Sequence, residues 1–188
     1  MTTMTTLTAP RAAARSSRWT GLGTLVRLNL RRDRVLIPAS AIALGASAYT
    51  AAKATYELYP SDALVVEAAR SVYASPAVKT LYGTLEEPIN RDAVAAYKLV
   101  LLGALLTALV ATIVVRRHTR TDEEDGRTEL LGAEPIDRAT PLVAAIIASI
   151  VAVFACALVG ALGMIGAGAQ AGGSFAMGLT WTVAGLSF

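Results

Sequence analysis

LVLLGALLTALVATIVVRRHTRTDEEDGRTELLGAEPIDRATPLVAAIIASIVAVFACALVGALGMI, residues 99–165, decides the fold of this chain. Two long apolar runs flank an island, residues 116–138, that holds twelve of the 31 charged residues in the sequence. Runs of about 20 apolar residues match the roughly 30 Å hydrocarbon thickness of a bilayer at 1.5 Å rise per residue. The rest of the chain repeats the contrast. Of its 188 residues 54% are hydrophobic and only 16% charged, with a mean hydropathy of +0.52. A soluble domain carries roughly a quarter charged residues, spread over its surface. Blocked charges between uncharged runs indicate an all-α, polytopic membrane helical bundle.

The sequence divides accordingly. Residues 1–18 are small, polar and basic without periodicity, which predicts a disordered basic cytoplasmic tail. Residues 19–34 are amphipathic. Leu22, Leu25, Val26 and Asn29 share one side with Trp19, while Arg27, Arg31 and Arg34 point elsewhere. This predicts an interfacial helix anchored by Trp19, Arg27, Arg31, Arg32 and Arg34 at head-group depth. Residues 35–188 form the transmembrane domain, with spans over about 35–52, 96–115, 140–165 and 174–188. Ala46-Ser47-Ala48 resembles a cleavage site and Arg31-Arg32 a twin-arginine signal, but the long basic leader and the spans that follow favour a retained first helix.

The outer loop, 57–95, carries its own helix signals. Ser61 is a candidate cap for a helix to about Tyr73, Ser75-Pro76 opens a short helix that Gly83 ends, and Asn90 caps the approach to the second span. The last span is short: fifteen residues reach only about 22 Å. The expectation is that it is incomplete and that the chain is the N-terminal part of a longer permease.

Orientation follows from arginine. Seven arginines precede the first span against Asp33 alone, and Arg116, Arg117 and Arg120 directly follow the second. The positive-inside rule therefore puts the N-terminus and residues 116–138 in the cytoplasm of a multi-pass plasma-membrane protein, with the 57–95 loop outside. His118, among those arginines, reads as one more basic residue facing the head groups.

The motifs needed for several functions are missing. No phosphate-cradling G-x-x-x-x-G-K-[ST], no H-E-x-x-H and no G-x-S-x-G is present, so neither a catalytic site nor an ATP site is expected. A single Cys156 and a single His118 make no metal site, and Cys156 reads as a small packing residue. The apolar cores contain no ionisable residue, which weighs against a self-powered ion-coupled carrier. Small residues at Gly103, Thr107 and Ala111, at Gly160 and Gly163, and at Gly168 and Gly172 instead offer surfaces for close helix packing.

The charged island has the pattern of a helix of its own. Thr121 with Glu124 forms a capping box, Asp122 to Asp125 fall in the first turn, Glu123 and Arg127 pair at i,i+4, and Pro135 stops the run. Such a cytoplasmic helix is suited to a partner's groove, and a solvated loop fits the same residues equally well.

The run RHTRTDEEDGRTELLGAEPIDRAT, residues 117–140, resembles the first cytoplasmic loop of the actinobacterial polyketide-antibiotic exporter permeases, type-2 membrane subunits of ATP-binding-cassette exporters. The matching residues are Arg117, His118, Arg120, Glu123, Glu124, Gly126, Arg127, Glu129, Leu130 and Arg138. SPAVKTLYG (75–83) and GAGAQAGGSFAMGL (166–179) fit as well, so the resemblance covers most of residues 20–188. It implies a permease for hydrophobic drugs or antibiotics with no cofactor in this chain. ATP and Mg would be bound by a separate ATPase subunit, itself a dimer. Glu123, Glu124, Gly126, Arg127, Glu129, Leu130 and Leu131 would form the coupling helix that receives the ATPase's motion. Such subunits have six or twelve spans, against the four read here. The rival reading is a non-transporting scaffold or sensor that recruits a cytoplasmic partner.

Overall fold

The computed structural model describes residues 21–85, 88–124 and 139–187, and every regular element among them is helical. The helices are α1 (Leu22–Arg32), α2 (Leu36–Leu58), α3 (Asp62–Tyr73), α4 (Pro76–Tyr82), α5 (Arg91–Glu124), α6 (Thr140–Ala167) and α7 (Ala171–Leu186). With no strands among the described residues, the chain is an all-helical membrane bundle. Two helices, α5 over Arg91–Arg120 and α6, are long and apolar enough to cross a bilayer. A third crossing is added if α1 and α2, bent by 57° across a short turn, count as one span. With 16 residues, α7 reaches about 24 Å, less than the hydrocarbon thickness.

Helix α6 is the centre of the bundle and packs against α1, α2, α5 and α7. It can do so because its buried face is made of small residues: Ala144, Ala148, Ala152, Cys156, Gly160 and Ala161. Lipid tails are as apolar as leucine, so association in a membrane rests on close van der Waals fit rather than on escape from water. The large apolar residues Phe154, Leu158 and Leu162 of the same helix are about half exposed, as a lipid-facing side should be. Cys156 is fully buried, a packing residue as expected.

Three of the five small-residue positions of the two central helices face another helix at very short range. The indole of Trp181, itself fully buried, lies between α5 and α6, where Gly103 and Gly160 leave a slot for it. Its Nε1–H donates to the Leu99 carbonyl at 3.2 Å. Gly163 faces the backbone of Gly45, and a Cβ on Gly45 would come within 2.8 Å of the Val159 carbonyl oxygen, so α2 and α6 cross almost backbone to backbone. Thr107 and Ala111 complete the stripe on α5, both buried. Gly172 takes no part in this, having nothing within 4 Å of where its Cβ would stand.

At the loop end, α3 and α4 cover the start of α5. Val65, Ala69 and Val94 form a small core ringed by Tyr59, Tyr73 and Ile89. Asn90 Oδ1 accepts from the Ala93 N–H at 2.7 Å, the expected cap. Ser61 and Ser75 precede α3 and α4, yet neither side chain makes a capping bond, and Gly83 ends α4 with φ 85°.

Two expectations need correction. The charged island does not start a new helix at Thr121, because α5 runs unbroken through Thr121 to Glu124. A helix already formed gains one bond for each residue added and needs no new nucleus, so propagation overrides the local capping box. Asp122, Glu123 and Glu124 thus lie at the far end of α5, not in a first turn. The second correction concerns His118, which is buried at 3% exposure and does not face head groups.

Candidate functional site: the basic end of the bundle

The apolar core of α5 gives way to Arg116, Arg117, His118, Thr119 and Arg120 without a break in the helix. Helical periodicity sorts these residues. Thr107, Ala111, Val114 and His118 follow one another at steps of four, three and four, and all four are buried. Among the residues whose side chains are described, His118 is therefore the last member of the inward stripe. Arg116, Arg117 and Arg120 fall on other faces and are exposed.

What His118 meets is the turn between α1 and α2. Asp33 is the C-cap of α1, its N–H donating to the Asn29 carbonyl at 3.0 Å, and its own carbonyl accepts from the Ile37 N–H at 3.0 Å. The backbone of Asp33 is thus tied to both helices of the bend. Asn29, one turn earlier, is also buried, so α1 presents Asn29 and then Asp33 to the interior. Leu30, Leu36 and Ile37 pack around a cluster of Val114, Ala148 and Ala152, which seats the bend against α5 and α6.

The Asp33 side chain is completely buried. Its Oδ2 lies 2.6 Å from His118 Nε2, with the His118 side chain equally enclosed. One proton is shared across this contact, and the tautomer of His118 sets which atom donates it. The guanidinium of Arg117, 45% exposed, stands 3.5 Å from Oδ1. Neither Asp33 Oδ1 nor His118 Nδ1 has a hydrogen bond, although both are buried. Each such deficiency costs on the order of 1–3 kcal/mol, so an apolar pair of similar size would hold this corner at least as firmly.

A cleft of about 490 Å³ opens beside this contact between α5 and α6, lined by Thr112, Val115, Arg116, Thr119, Arg120 and Ser149. Ser149 Oγ donates to the Ala111 carbonyl at 3.3 Å and closes its floor. A second, apolar cleft of about 310 Å³ lies between α6 and α7, among Phe154, Leu158, Phe175 and Leu179.

The opposite end has its own polar knot, centred on Asp92. Its Oδ1 accepts from the Tyr56 hydroxyl at 2.6 Å and its Oδ2 from the Gln170 N–H at 2.8 Å, joining α5 to α2 and to the start of α7. Arg91 beside it stacks over the Tyr56 ring at 5.4 Å and donates through Nε to Asp62 at 3.1 Å.

Of the residues expected to carry coupling, Glu123 and Glu124 lie on the last turn of α5, while Gly126, Arg127, Glu129, Leu130 and Leu131 fall outside the described residues. Among the expected anchors, Arg27, Arg31 and Arg34 are exposed and Arg32 half-buried on or just after α1, and Trp19 lies outside the described residues. No group of three or more His, Cys, Asp or Glu side chains that could hold a metal occurs among the described residues. The structure brings together Asp33, Arg117 and His118. Sequence reasoning gave Asp33 no role and His118 the wrong one, although the stripe from Thr107 to Val114 points at His118.

No family model matches the chain. It is 35% identical over 181 residues to a multidrug efflux system permease protein of Mycobacterium tuberculosis. The alignment covers 95% of this chain and 32% of that protein, so the chain spans about a third of its relative's length.

Proposed function

We propose that this chain supplies membrane-spanning helices of a permease that exports hydrophobic drugs or antibiotics, energised by a separate ATP-binding-cassette ATPase subunit. The observation that carries the reading is α5 itself. One helix of 34 residues joins a membrane-spanning core to Glu123 and Glu124 at the edge of the charged island. A force applied beyond Glu124 would act on a rigid rod that ends among the packed helices, not on a loose tether. The likeness to a multidrug efflux permease supports the same direction. The basic end, with Arg27, Arg31, Arg32, Arg34, Arg116, Arg117 and Arg120 and with Asp33 as its buried acid, is the cytoplasmic end in this reading. ATP and Mg belong to the partner, and the residues from Glu123 to Leu131 make the contact with it.

The test is a triple charge reversal, Glu123→Lys, Glu124→Lys and Arg127→Glu, in the full-length protein reconstituted with its ATPase. Each altered residue is outside the membrane core, so insertion and protein level stay at wild-type values. Drug-stimulated ATP hydrolysis falls by about tenfold or more, equivalent to losing about 1.4 kcal/mol of coupling contact. Full stimulation in the triple variant would remove the docking role. An ATPase that neither co-purifies nor responds in the wild type would point to a scaffold instead.

A further inference from the structure

We infer that the Asp33–His118 contact is the clasp through which movement of α5 reaches the α1–α2 bend, a positioning pair for the transport cycle. The inference rests on the exporter reading above and gives that reading a route. Three observations carry it.

The first is geometry. Asp33 is fastened by backbone hydrogen bonds to α1 on one side and α2 on the other, so whatever holds its carboxylate holds the bend. What holds it is His118, a buried residue of the α5 stripe, at 2.6 Å.

The second is a matched pair of fastenings. From Asp92 to His118 is about 39 Å along α5, and from Leu36, where α2 leaves the bend, to Tyr56 about 30 Å along α2. These two antiparallel helices are thus tied at both ends, by Tyr56–Asp92 and by Asp33–His118. A displacement of α5 beyond His118 cannot be taken up by slack between the two ties. It either opens the clasp or carries the bend with it.

The third is chemistry. The clasp is a weak source of stability, because Asp33 Oδ1 and His118 Nδ1 lack hydrogen bonds in a buried corner and Oδ1 has only the Arg117 guanidinium at 3.5 Å. A short polar contact has a different property: it is lost over a small displacement, and water can satisfy both partners once they separate. Arg117, half in solvent, stays beside the carboxylate as a charge that can follow it out. Two discrete arrangements of one element are what coupling between distant sites requires.

Two arms test this in the full-length protein. The first needs no ATPase. Asn29 is buried only while α1 is docked, so a cysteine there, Asn29→Cys in an otherwise cysteine-free protein, reports undocking to a water-soluble maleimide. Adding Asp33→Asn or His118→Gln raises its labelling rate at least about fivefold, the lower end of coupling between two sites. An unchanged rate overturns the clasp whatever the ATPase does.

The second arm uses liposomes containing the protein and its ATPase, with ethidium as the transported probe. The same two variants, without the reporter, lose at least about fivefold of ethidium-stimulated ATP turnover, read as the ratio of stimulated to basal turnover in each preparation so that a lowered thermal midpoint does not enter it. The exchanged pair Asp33→His with His118→Asp recovers part of the stimulation. Normal stimulation in both single variants reduces the clasp to a fastener and overturns its part in coupling. If the wild type shows no ATPase response, the exporter reading has failed, and with it the route, while the labelling result still states whether the clasp holds α1.

Discussion

Replacing Gly103 by alanine should cost the bundle about 2 kcal/mol, and removing the Trp181 ring should abolish most of that cost. The indole fills the slot between α5 and α6, and a Cβ on Gly103 would fall inside the contact distance of its Cε2 and Cζ2 atoms. Ordinary carbon–carbon contact lies near 3.5–4.0 Å, so the ring must retreat by at least about 1 Å. It has little room to do so. Gly160 of α6 stands against the other edge of the ring, and the Nε1–H bond to Leu99 fixes its depth. Overpacking of a buried site costs about 1–3 kcal/mol, and the lack of an escape direction sets this case near the middle of that range or above. In detergent, a loss of about 2 kcal/mol lowers the unfolding midpoint of a chain this size by about 4–8 °C. Trp181→Leu alone is destabilising too, since the empty slot loses contacts that lipid does not replace. The decisive measurement is the cycle. Gly103→Ala placed in the Trp181→Leu background should cost under about 0.5 kcal/mol, giving a coupling of at least about 1 kcal/mol. Additive losses would show that Trp181 does not occupy the slot, and the packing of α7 described here would be wrong.

Two further outcomes use the same reasoning at other positions. Gly172→Ala should leave the midpoint unchanged or raise it, by up to about 1 kcal/mol in stability, because a Cβ there meets open space on an α-helical turn. A fall in the midpoint would mean that another surface covers this turn. Asn90→Ala should cost about 1 kcal/mol through loss of its 2.7 Å bond to the Ala93 N–H. The loss should appear as faster amide exchange in the first turn of α5, with the centre of that helix unaffected.

The parts of this fold that could be read from sequence are those where one physical demand dominates. In α6 every residue from Thr140 to Ala167 is uncharged, and only a buried or lipid-facing helix satisfies such a run. The stripe of Gly103, Thr107 and Ala111 was legible because close packing in lipid needs small residues at helical spacing. Trp181 was not, since nothing local to it says which glycines it will meet. The capping box at Thr121 misled because it is a rule for starting helices, and α5 was already under way. Asp33 and His118 were missed for a related reason. Counting arginines assigned His118 to a charged surface by its neighbours in sequence and gave Asp33 no role, whereas burial follows the helical stripe and a partner 85 positions distant.

The distribution of polar fastenings follows from where water can reach. The Asp33–His118 and Tyr56–Asp92 contacts are separated by about 39 Å along α5, more than the roughly 30 Å of hydrocarbon between them. Both contacts can therefore sit at the interfaces, where a broken hydrogen bond is remade with water, while the segment between them holds together through glycine slots. A polar tie in the middle would be costly whenever it opened, and a glycine slot at the ends would be too weak against water competing for the exposed backbone. If α2 and α5 move relative to each other, the end contacts make and break while each helix pivots on its own central crossing, α2 against α6 at Gly45–Gly163 and α5 against Trp181 of α7. Close backbone packing tolerates small rotations about a crossing but not separation. Motion of the bundle would then be largest at its two ends, and at the basic end α5 carries that motion past His118 to Glu124.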